Sequence, residues 1–289
     1  MPMQIRYDFF ISDLLLRVES PRQLYIPDNF QPFYTETTGN RAPDLRVQII
    51  FDPFSSESRK ESGDLSADTF PSGSVQETFP LASGESIIRQ SSSGIGSPVR
   101  VYIPPSYADV FCRQGGNWLA YFALEQMLLP YDRFFLHSSA VIYQGKAYLF
   151  SAPSGGGKST HANLWKAHFG AALLNGDKVL IHAEGGHCTA YGSPVAGSSG
   201  IYTNAKAPIA AIFILKKGMR NHLTPLTKRG ALLTLYSEAI KNCNDPAFNH
   251  HLLDLIEKVQ TCVPVFSLEC LPEKSAVEYV LHNQEERSP

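Results

Sequence analysis

The chain has 289 residues, of which 43% are hydrophobic and 18% are charged, and its formal net charge is -2. This length supports one or two globular domains, since domains typically have about 100–200 residues. The near-neutral charge argues against a nucleic-acid partner, and no run of about 18 apolar residues is available to span a membrane.

Two further features of the composition predict a cytoplasmic protein. The five cysteines are odd in number and scattered, which favours reduced thiols over a disulfide framework or a zinc site. Charged residues interrupt the apolar residues near the N-terminus, at Arg6, Asp8 and Asp13. This pattern predicts a pair of strands rather than a signal peptide.

Residues 1–130 predict a β-rich N-terminal domain. Apolar and polar residues alternate up to about residue 53, which is typical of short strands. Residues 54–98 are rich in Ser and Gly and predict an exposed β-meander or an insertion. A strand at 99–103 closed by prolines follows, and then one helix over 118–128 with Asn117 as its N-cap. An exposed strand edge in this domain would suit a substrate peptide.

Residues 131–289 predict a second, α/β domain. Residues 140–143 and 146–150 predict a hairpin that leads into a glycine-rich loop, and a helix then runs from 159 to Gly170. After a strand at 171–174, residues 179–191 predict another hairpin. Two hairpins around one helix favour a mixed, partly antiparallel sheet over a doubly wound parallel one. Further strands are predicted at 208–215 and 263–268, and helices at 232–241, 246–260 and 273–281.

The glycine-rich loop, SAPSGGGKST over residues 151–160, predicts a nucleotide phosphate site. Ala152, Gly157, Lys158 and Ser159 have the spacing of the Walker A P-loop, with Ala in place of the first Gly. Lys158 would reach the β- and γ-phosphates, and the Ser159 hydroxyl would bind Mg²⁺. A glycine-rich turn alone would not explain a Lys and a hydroxyl together at a helix start. The predicted phosphate-binding residues are Ser154, Gly155, Gly156, Gly157, Lys158, Ser159 and Thr160.

Three other polar residues lie near this loop in the predicted topology. Asp177 follows a strand one helix downstream, where a carboxylate could approach the γ-phosphate or its metal, although Asn-Gly-Asp is also a common turn sequence. His137 is expected at a strand end, near the metal or the acceptor hydroxyl. His161, one turn into the helix, is expected to be a packing or capping residue rather than a catalyst. No GTPase switch or base-reading motif follows the loop.

The stretch LHSSAVIYQGKAYLFSAPSGGGKSTHANLW, the Asn-Gly-Asp-Lys turn at 175–178 and Gly-Ser-Pro at 192–194 resemble the HPr kinase/phosphorylase-like family. That family is related in fold to ATP-dependent phosphoenolpyruvate carboxykinase. The similarity is closest to short HPr-kinase-like proteins of bacterial peptide-modification systems, and it covers about residues 130–281. The resemblance implies a P-loop kinase domain at 131–289 with a mixed sheet.

The resemblance also implies roles for individual residues. His137, Lys158 and Asp177 match catalytic positions, and Ser159 and Asp177 match metal ligands. The first acid of the family's Asp-Asp pair is replaced by Gly176. The implied reaction is ATP- and Mg²⁺-dependent transfer of phosphate to a serine of a protein or precursor peptide. The family's oligomers make a homo-oligomer an expectation here as well.

Two alternatives to a serine kinase stay open at this stage. Gly176 favours a nucleotide-binding regulatory module without catalysis. A kinase of a small molecule, such as a free amino acid, also fits the loop. A carboxykinase is disfavoured, because the few arginines after Lys178 form no evident cluster for an anionic substrate.

Overall fold

The computed structural model describes residues 4–36, 38–39, 41–52, 74–92, 96–242 and 245–283. The chain divides into two compact units, Met1–Pro130 and Tyr131–Pro289. Each unit contains one mixed sheet, and the described residues include seven α-helices. The fold is therefore mixed α/β. No helix in these described ranges is both long and apolar enough to cross a bilayer.

The first unit is built on a seven-stranded sheet with the order β3-β1-β2-β4-β7-β6-β5. β1 and β2 form the predicted N-terminal hairpin, and β4 pairs in parallel with both β2 and β7. Alternating burial along β4 and β7 matches the period of two that a half-buried strand requires. The strands are β1 (Ile5–Ile11), β2 (Leu14–Ser20), β3 (Tyr34–Thr35), β4 (Leu45–Phe51), β5 (Ser74–Pro80), β6 (Ser86–Ser92) and β7 (Val99–Ile103).

The helices of the first unit differ from the prediction. Instead of one helix over 118–128 there are two short ones, α2 (Trp118–Tyr121) and α3 (Leu124–Leu128), because Ala123 adopts a left-handed backbone conformation with φ 51°. Asn117 does cap α2, accepting from the backbone N–H of Ala120. The sequence analysis missed α1 (Pro105–Gln114), because Pro105 begins this helix at a position where proline is favoured.

Part of the Ser- and Gly-rich stretch at 54–98 is ordered as the antiparallel hairpin of β5 and β6. Residues 54–73 and 93–95 lie outside the described residues, so the prediction of a meander or insertion is not tested there. The four cysteines among the described residues form no disulfide.

The second unit is built on an eight-stranded sheet with the order β10-β8-β11-β12-β13-β15-β14, in which β9 also pairs with β8 and β13. Both predicted hairpins are present, as β8–β9 and β11–β12. The sequence analysis missed β14. The strands are β8 (Arg133–Tyr143), β9 (Lys146–Ser151), β10 (Ala172–Asn175), β11 (Lys178–Glu184), β12 (His187–Tyr191), β13 (Lys206–Lys217), β14 (His222–Pro225) and β15 (Val265–Cys270).

Three adjacent parallel strands, β9, β13 and β15, carry the core of the second unit. Phe150, Phe213 and Phe266 stack across them, with ring centroids 5.8 and 5.7 Å apart. The alternating residues Leu149 and Ile212 are also fully buried, so both faces of these strands are covered. The helices of this unit are α4 (Lys158–Phe169), α5 (Lys228–Glu238), α6 (Pro246–Cys262) and α7 (Lys274–Asn283).

Packing of α4 and α7 against one face of the sheet fixes the loop that precedes α4. Trp165 of α4 and Val277 of α7 belong to the same buried cluster as Phe150. Trp165 lies tilted against Tyr148, with the ring centroids 4.6 Å apart. Burying large aromatic side chains of this kind stabilises a fold by about 1.5–3 kcal/mol each. The strand before the loop and the helix after it are therefore held by one hydrophobic core.

Candidate functional site

The glycine-rich loop connects β9 directly to α4, as predicted, and α4 begins at Lys158. No side chain of the described residues caps this helix, so the N–H groups of its first turn keep their capacity to bind an anion. The loop is tight: a Cβ atom at Gly156 would lie 2.5 Å from the Ala152 Cβ and 2.8 Å from the Pro153 carbonyl oxygen. Glycine is required there, because any side chain would push the loop open.

Lys158 lies inside this loop rather than in solvent. The residue is 8% exposed, and its Nζ donates to the carbonyl oxygen of Ala152 at 2.7 Å. Burial lowers the pKa of Lys158, and the negative charges of Glu238 and Asp177 oppose that shift. A bound phosphate would add further negative charge at this position. The loop thus holds its lysine close to the backbone N–H groups that would receive the same phosphate.

Asp177 lies in a turn that is fixed by Asn175. The Asn175 Oδ1 accepts from the backbone N–H groups of Asp177 and Lys178, both at 2.9 Å. The Asn175 Nδ2 donates to the Ser193 carbonyl oxygen at 3.0 Å. The Asn-Gly-Asp sequence therefore makes the turn that its composition predicts. The turn is also what directs Asp177 toward the loop, so the two interpretations of this sequence are compatible.

His137 lies beside Asp177, although not where the sequence analysis placed it. We expected it at a strand end, but β8 begins four residues earlier, at Arg133, and His137 lies within the strand, opposite Lys178 of β11. The strand extends further because Phe134, Phe135 and Leu136 are buried in the sheet. The His137 Nε2 is 3.3 Å from the Asp177 Oδ1. The β8–β11 pairing therefore brings these side chains together.

The sequence analysis missed Glu238, the last residue of α5. The Glu238 Oε2 is 3.3 Å from the His137 Nδ1, on the opposite side of the imidazole from Asp177. The Glu238 side chain is only 16% exposed. One sequence signal was available: Glu is disfavoured at a helix C-terminus, where the helix dipole favours positive charge. A carboxylate at the C-terminus of a helix therefore indicates a role other than stabilising that helix.

A polar cavity of about 250 Å³ collects the predicted site residues of the loop, β8 and the Asp177 turn. Gly176 and Ser199 also border it. Whether these residues bind nucleotide or catalyse a reaction stays a prediction, but all of them border one space. The predicted residues on its wall are His137, Ser154, Gly155, Gly156, Gly157, Lys158, Ser159, Thr160 and Asp177.

Gly176 has no room for the acid that the family resemblance would place there. A Cβ atom on Gly176 would lie 1.8 Å from the Ser199 Oγ and 2.6 Å from its Cβ. Ser199 belongs to a short 3₁₀ turn, Gly197–Ser199, and its Oγ donates to the Ala196 carbonyl oxygen at 2.6 Å. This turn therefore occupies the space beside Gly176.

A second, mostly apolar cavity of about 300 Å³ lies against the same glycine loop. It shares Gly155, Gly156, Gly157 and Thr160 with the polar cavity, and the ends of β13 and β15 close it. His161 borders it and packs against Phe150, with ring centroids 4.5 Å apart, as its predicted packing role requires. Burial lowers the pKa of His161 to about 4. Within the described part of the chain, its Nε2 has no hydrogen-bond partner.

No preformed metal cluster is present among the described residues: no group of three or more His, Cys, Asp or Glu side chains is arranged to hold an ion. Mg²⁺ does not require one, because it commonly binds one or two protein oxygens together with substrate phosphates and water. The Ser159 hydroxyl and the Asp177 carboxylate border the same cavity and are the oxygen ligands that Mg²⁺ prefers. These two residues fit a nucleotide-bound magnesium ion.

No family model matches the chain, and no curated protein matches it. Matches exist among solved structures. One of these is the Hpr(Ser) kinase/phosphatase from Coxiella burnetii, to which the chain is similar at 11% sequence identity and a TM-score of 0.32. That match covers 53% of this chain and 97% of the other. At this level of similarity, the function of the site has to be argued from its own residues.

Proposed function

We propose that the chain is an ATP- and Mg²⁺-dependent phosphotransferase with a P-loop kinase core of the HPr kinase type, acting on a serine of a protein or precursor peptide. The observation that carries the proposal is the polar cavity, where the loop N–H groups, Lys158 and Ser159 face Asp177 and His137 across one space. An anion site alone would need only the loop. A carboxylate opposite that loop adds a general base, which an acceptor hydroxyl requires to lose its proton.

The adjoining apolar cavity supports a nucleotide rather than free phosphate as the ligand. The two cavities meet at the glycine loop and Thr160. A molecule with an anionic end and a flat, apolar end would fill both, and a nucleoside triphosphate has this form. The apolar cavity is of a size typical of small-molecule sites.

The proposed reaction is an in-line displacement. The acceptor oxygen forms a bond to the γ-phosphorus while the bond from phosphorus to the β–γ bridging oxygen breaks, and ADP leaves. Lys158 and the loop N–H groups hold the phosphate oxygens, and Asp177 takes the acceptor's proton. When bound by Ser159 and Asp177, Mg²⁺ would neutralise phosphate charge. Because phosphoryl transfer needs little covalent participation by the protein, positioning and charge neutralisation by these residues supply most of the rate enhancement.

We place the acceptor peptide on the first unit as part of this proposal. β5 is at the end of the seven-stranded sheet, and among the described residues it pairs with β6 alone. An extended peptide can add to such an edge through main-chain hydrogen bonds. If it does, hydrogen exchange of residues 74–80 should slow when a phosphorylated-serine product peptide or its precursor is added. Unchanged exchange there with saturating peptide would contradict this placement.

A second candidate is a nucleotide-binding regulatory module, and the closed space beside Gly176 favours it. With one acid at the turn instead of two, Asp177 alone must bind metal and accept the proton. Nucleotide binding without turnover would follow if it cannot do both. The two candidates predict the same affinity for ATP, and they differ in whether bound ATP is turned over.

The experiment that tests the proposal compares binding and turnover in the same protein. Equilibrium binding of ATP and of tripolyphosphate is measured with Mg²⁺, followed by ADP release without and with candidate acceptors. Lys158→Met should lower turnover by at least about 100-fold, because it removes a charge that contacts the transferred phosphate. Lys166→Met on the exposed face of α4 is the matched control and should leave turnover unchanged.

Each outcome separates the candidates. ATP turnover that is lost in Lys158→Met and in Asp177→Asn, but kept in Lys166→Met, supports a phosphotransferase. Transfer to serine-containing peptides but not to free serine supports the peptide kinase, and the reverse supports the amino-acid kinase. ATP binding with no turnover, insensitive to Asp177→Asn, supports the regulatory module. Lys158→Met with normal turnover would show that the loop is not the nucleotide site.

A further inference from the structure

Residues 193–205, in the connection from β12 to β13, are attached to the turn that carries Asp177, and we call them the strap. At the start of the strap, the Ser193 Oγ donates to the carbonyl oxygen of Lys178 at 2.6 Å. Three contacts attach its other end to the residues before Asp177. They are the hydrogen bond from the Thr203 Oγ1 to the Leu174 carbonyl oxygen, the hydrogen bond from the Gly176 N–H to the Ile201 carbonyl oxygen, and an isolated bridge between Asn175 and Tyr202. The strap is therefore fastened to the chain on both sides of Asp177.

The middle of the strap packs against the Asp177 side chain at Gly197. A Cβ atom added to Gly197 would lie 2.7 Å from the Asp177 Cγ, 2.8 Å from its Cβ and 3.0 Å from its Oδ2. Distances this short leave no room for a side chain, so the bare glycine backbone already lies against the carboxylate. The Asp177 Oδ1 is 3.3 Å from the His137 Nε2. The carboxylate is thus enclosed by His137 at one oxygen and by the strap at the other.

Backbone conformation alone does not explain why this contact is made by a glycine. Gly197 and Gly200 lie at the two ends of the same short 3₁₀ turn, and both have left-handed backbones, with φ 55° and 62°. A Cβ atom on Gly200 would meet no atom of the described residues within 4 Å, whereas one on Gly197 would meet Asp177. The two glycines therefore share a backbone requirement and differ in their contact with the carboxylate.

We propose that Gly197 is a positioning residue, which holds the Asp177 carboxylate at the polar cavity by packing against its Cγ and Oδ2. This inference rests on the proposed phosphotransferase function and adds a residue to it. The strap fills the space into which the carboxylate would otherwise turn, so the carboxylate stays on the wall that it shares with the phosphate loop. Gly197 acts through Asp177 and does not touch the substrate.

Turnover of two matched glycine variants tests this role. Gly197→Ala should displace the carboxylate and lower kcat for ADP release by about 10- to 100-fold, because misplacing a catalytic group by about 1 Å can cost 100-fold. The affinity for tripolyphosphate without Mg²⁺ should stay within about twofold, because Lys158 and the loop N–H groups are unchanged. Gly200→Ala is the control. It introduces the same strain into the same turn without the contact, and it should keep kcat within about twofold of the wild type.

Thermal unfolding gives a readout that does not depend on turnover. The Tm of Gly197→Ala should lie at least about 4 °C below that of Gly200→Ala, because the added methyl group is overpacked only at position 197. Asp177→Gly removes the three atoms that this methyl group would meet. In the Asp177→Gly background, the two alanine variants should therefore have Tm values within about 1 °C of each other.

The two readouts separate failure of this inference from failure of the proposed function. A wild type that binds ATP without turning it over, with a Tm difference that disappears in Asp177→Gly, would refute the phosphotransferase and leave the contact standing. Equal Tm values for the two alanine variants, or a difference that persists in Asp177→Gly, would overturn the inference. Equal kcat values for both variants of an active protein would overturn it too. If Gly197→Ala does not fold, the inference requires that Gly197→Ala/Asp177→Gly does, and failure of both would overturn it.

Discussion

Replacing Gly176 by alanine tests how tightly the Gly197–Ser199 turn closes over the candidate site. The added Cβ would lie 1.8 Å from the Ser199 Oγ and 2.6 Å from the Ser199 Cβ, distances that no unstrained structure tolerates. Its next neighbour, the Ile201 Cβ, would be 3.3 Å away and could yield by a few tenths of an ångström. Ser199 is therefore the residue that must move.

The size of the effect follows from the hydrogen bonds of Ser199. Its Oγ donates to the Ala196 carbonyl oxygen at 2.6 Å and accepts from the Ile201 N–H at 3.2 Å. Moving the side chain away breaks both bonds, each worth about 1 kcal/mol. We expect Gly176→Ala to lower the free energy of unfolding of the second unit by about 2 kcal/mol, which is typical of overpacking. For a unit of this size, that lowers Tm by about 4–8 °C.

A double-mutant cycle measured by thermal unfolding checks the reasoning. Ser199→Gly alone should also cost about 2 kcal/mol, because it removes the same two hydrogen bonds. In Gly176→Ala/Ser199→Gly the clash has no partner left, so the loss should stay near 2 kcal/mol instead of doubling. Losses that simply add would refute the close contact between these residues, and with it our explanation for a glycine at position 176.

The remaining predictions concern one turn and one buried ion pair. Asn175→Ala leaves the backbone N–H groups of Asp177 and Lys178 without their acceptor. The free energy of unfolding should fall by about 2–4 kcal/mol, and kcat should fall more than the affinity for ATP. An unchanged kcat would contradict the role of this turn. Burial raises the pKa of Asp8, but the hydrogen bonds from Arg17 and Thr38 outweigh burial and lower this pKa below its usual 3.8. The ionised Asp8 therefore stabilises the first unit above pH 3.8, and this stabilisation is lost as the pH falls through the folded-state pKa. Asp8→Asn should therefore destabilise the first unit at pH 7 and flatten its acid dependence, and acid titrations of unfolding with the same slope in both proteins would contradict this.

The local part of the candidate site could be predicted from the sequence. The strand, glycine-rich loop and helix at 146–169 are consecutive, and their spacing alone positions Lys158 and Ser159 at the helix start. The Asn-Gly-Asp turn was likewise predictable, because Asn175 bonds to backbone groups only two and three residues away. These features depend on short-range geometry, so one sequence suffices to predict them.

Elements with competing local signals were harder to predict. The helix expected over 118–128 breaks at Ala123, where neither glycine nor proline marks the interruption. Leu124 and Leu128 after the break are as fully buried as Trp118 and Phe122 before it, so the pattern of apolar residues does not mark the break. The length of β8 was underestimated because His137, Ser138 and Ser139 interrupt its apolar residues, although both serines are buried within the strand.

The sequence by itself determined that the glycine-rich loop, Lys158 and Ser159 lie together at a helix start, because they are neighbours in the chain. Only the tertiary structure decided what faces them. Glu238 reaches His137 across 101 residues of sequence through an isolated bridge, and Ser199 closes the space beside Gly176 through a separate turn. Such contacts depend on strand register and helix packing, which arise from the summed burial of many side chains and leave no local pattern.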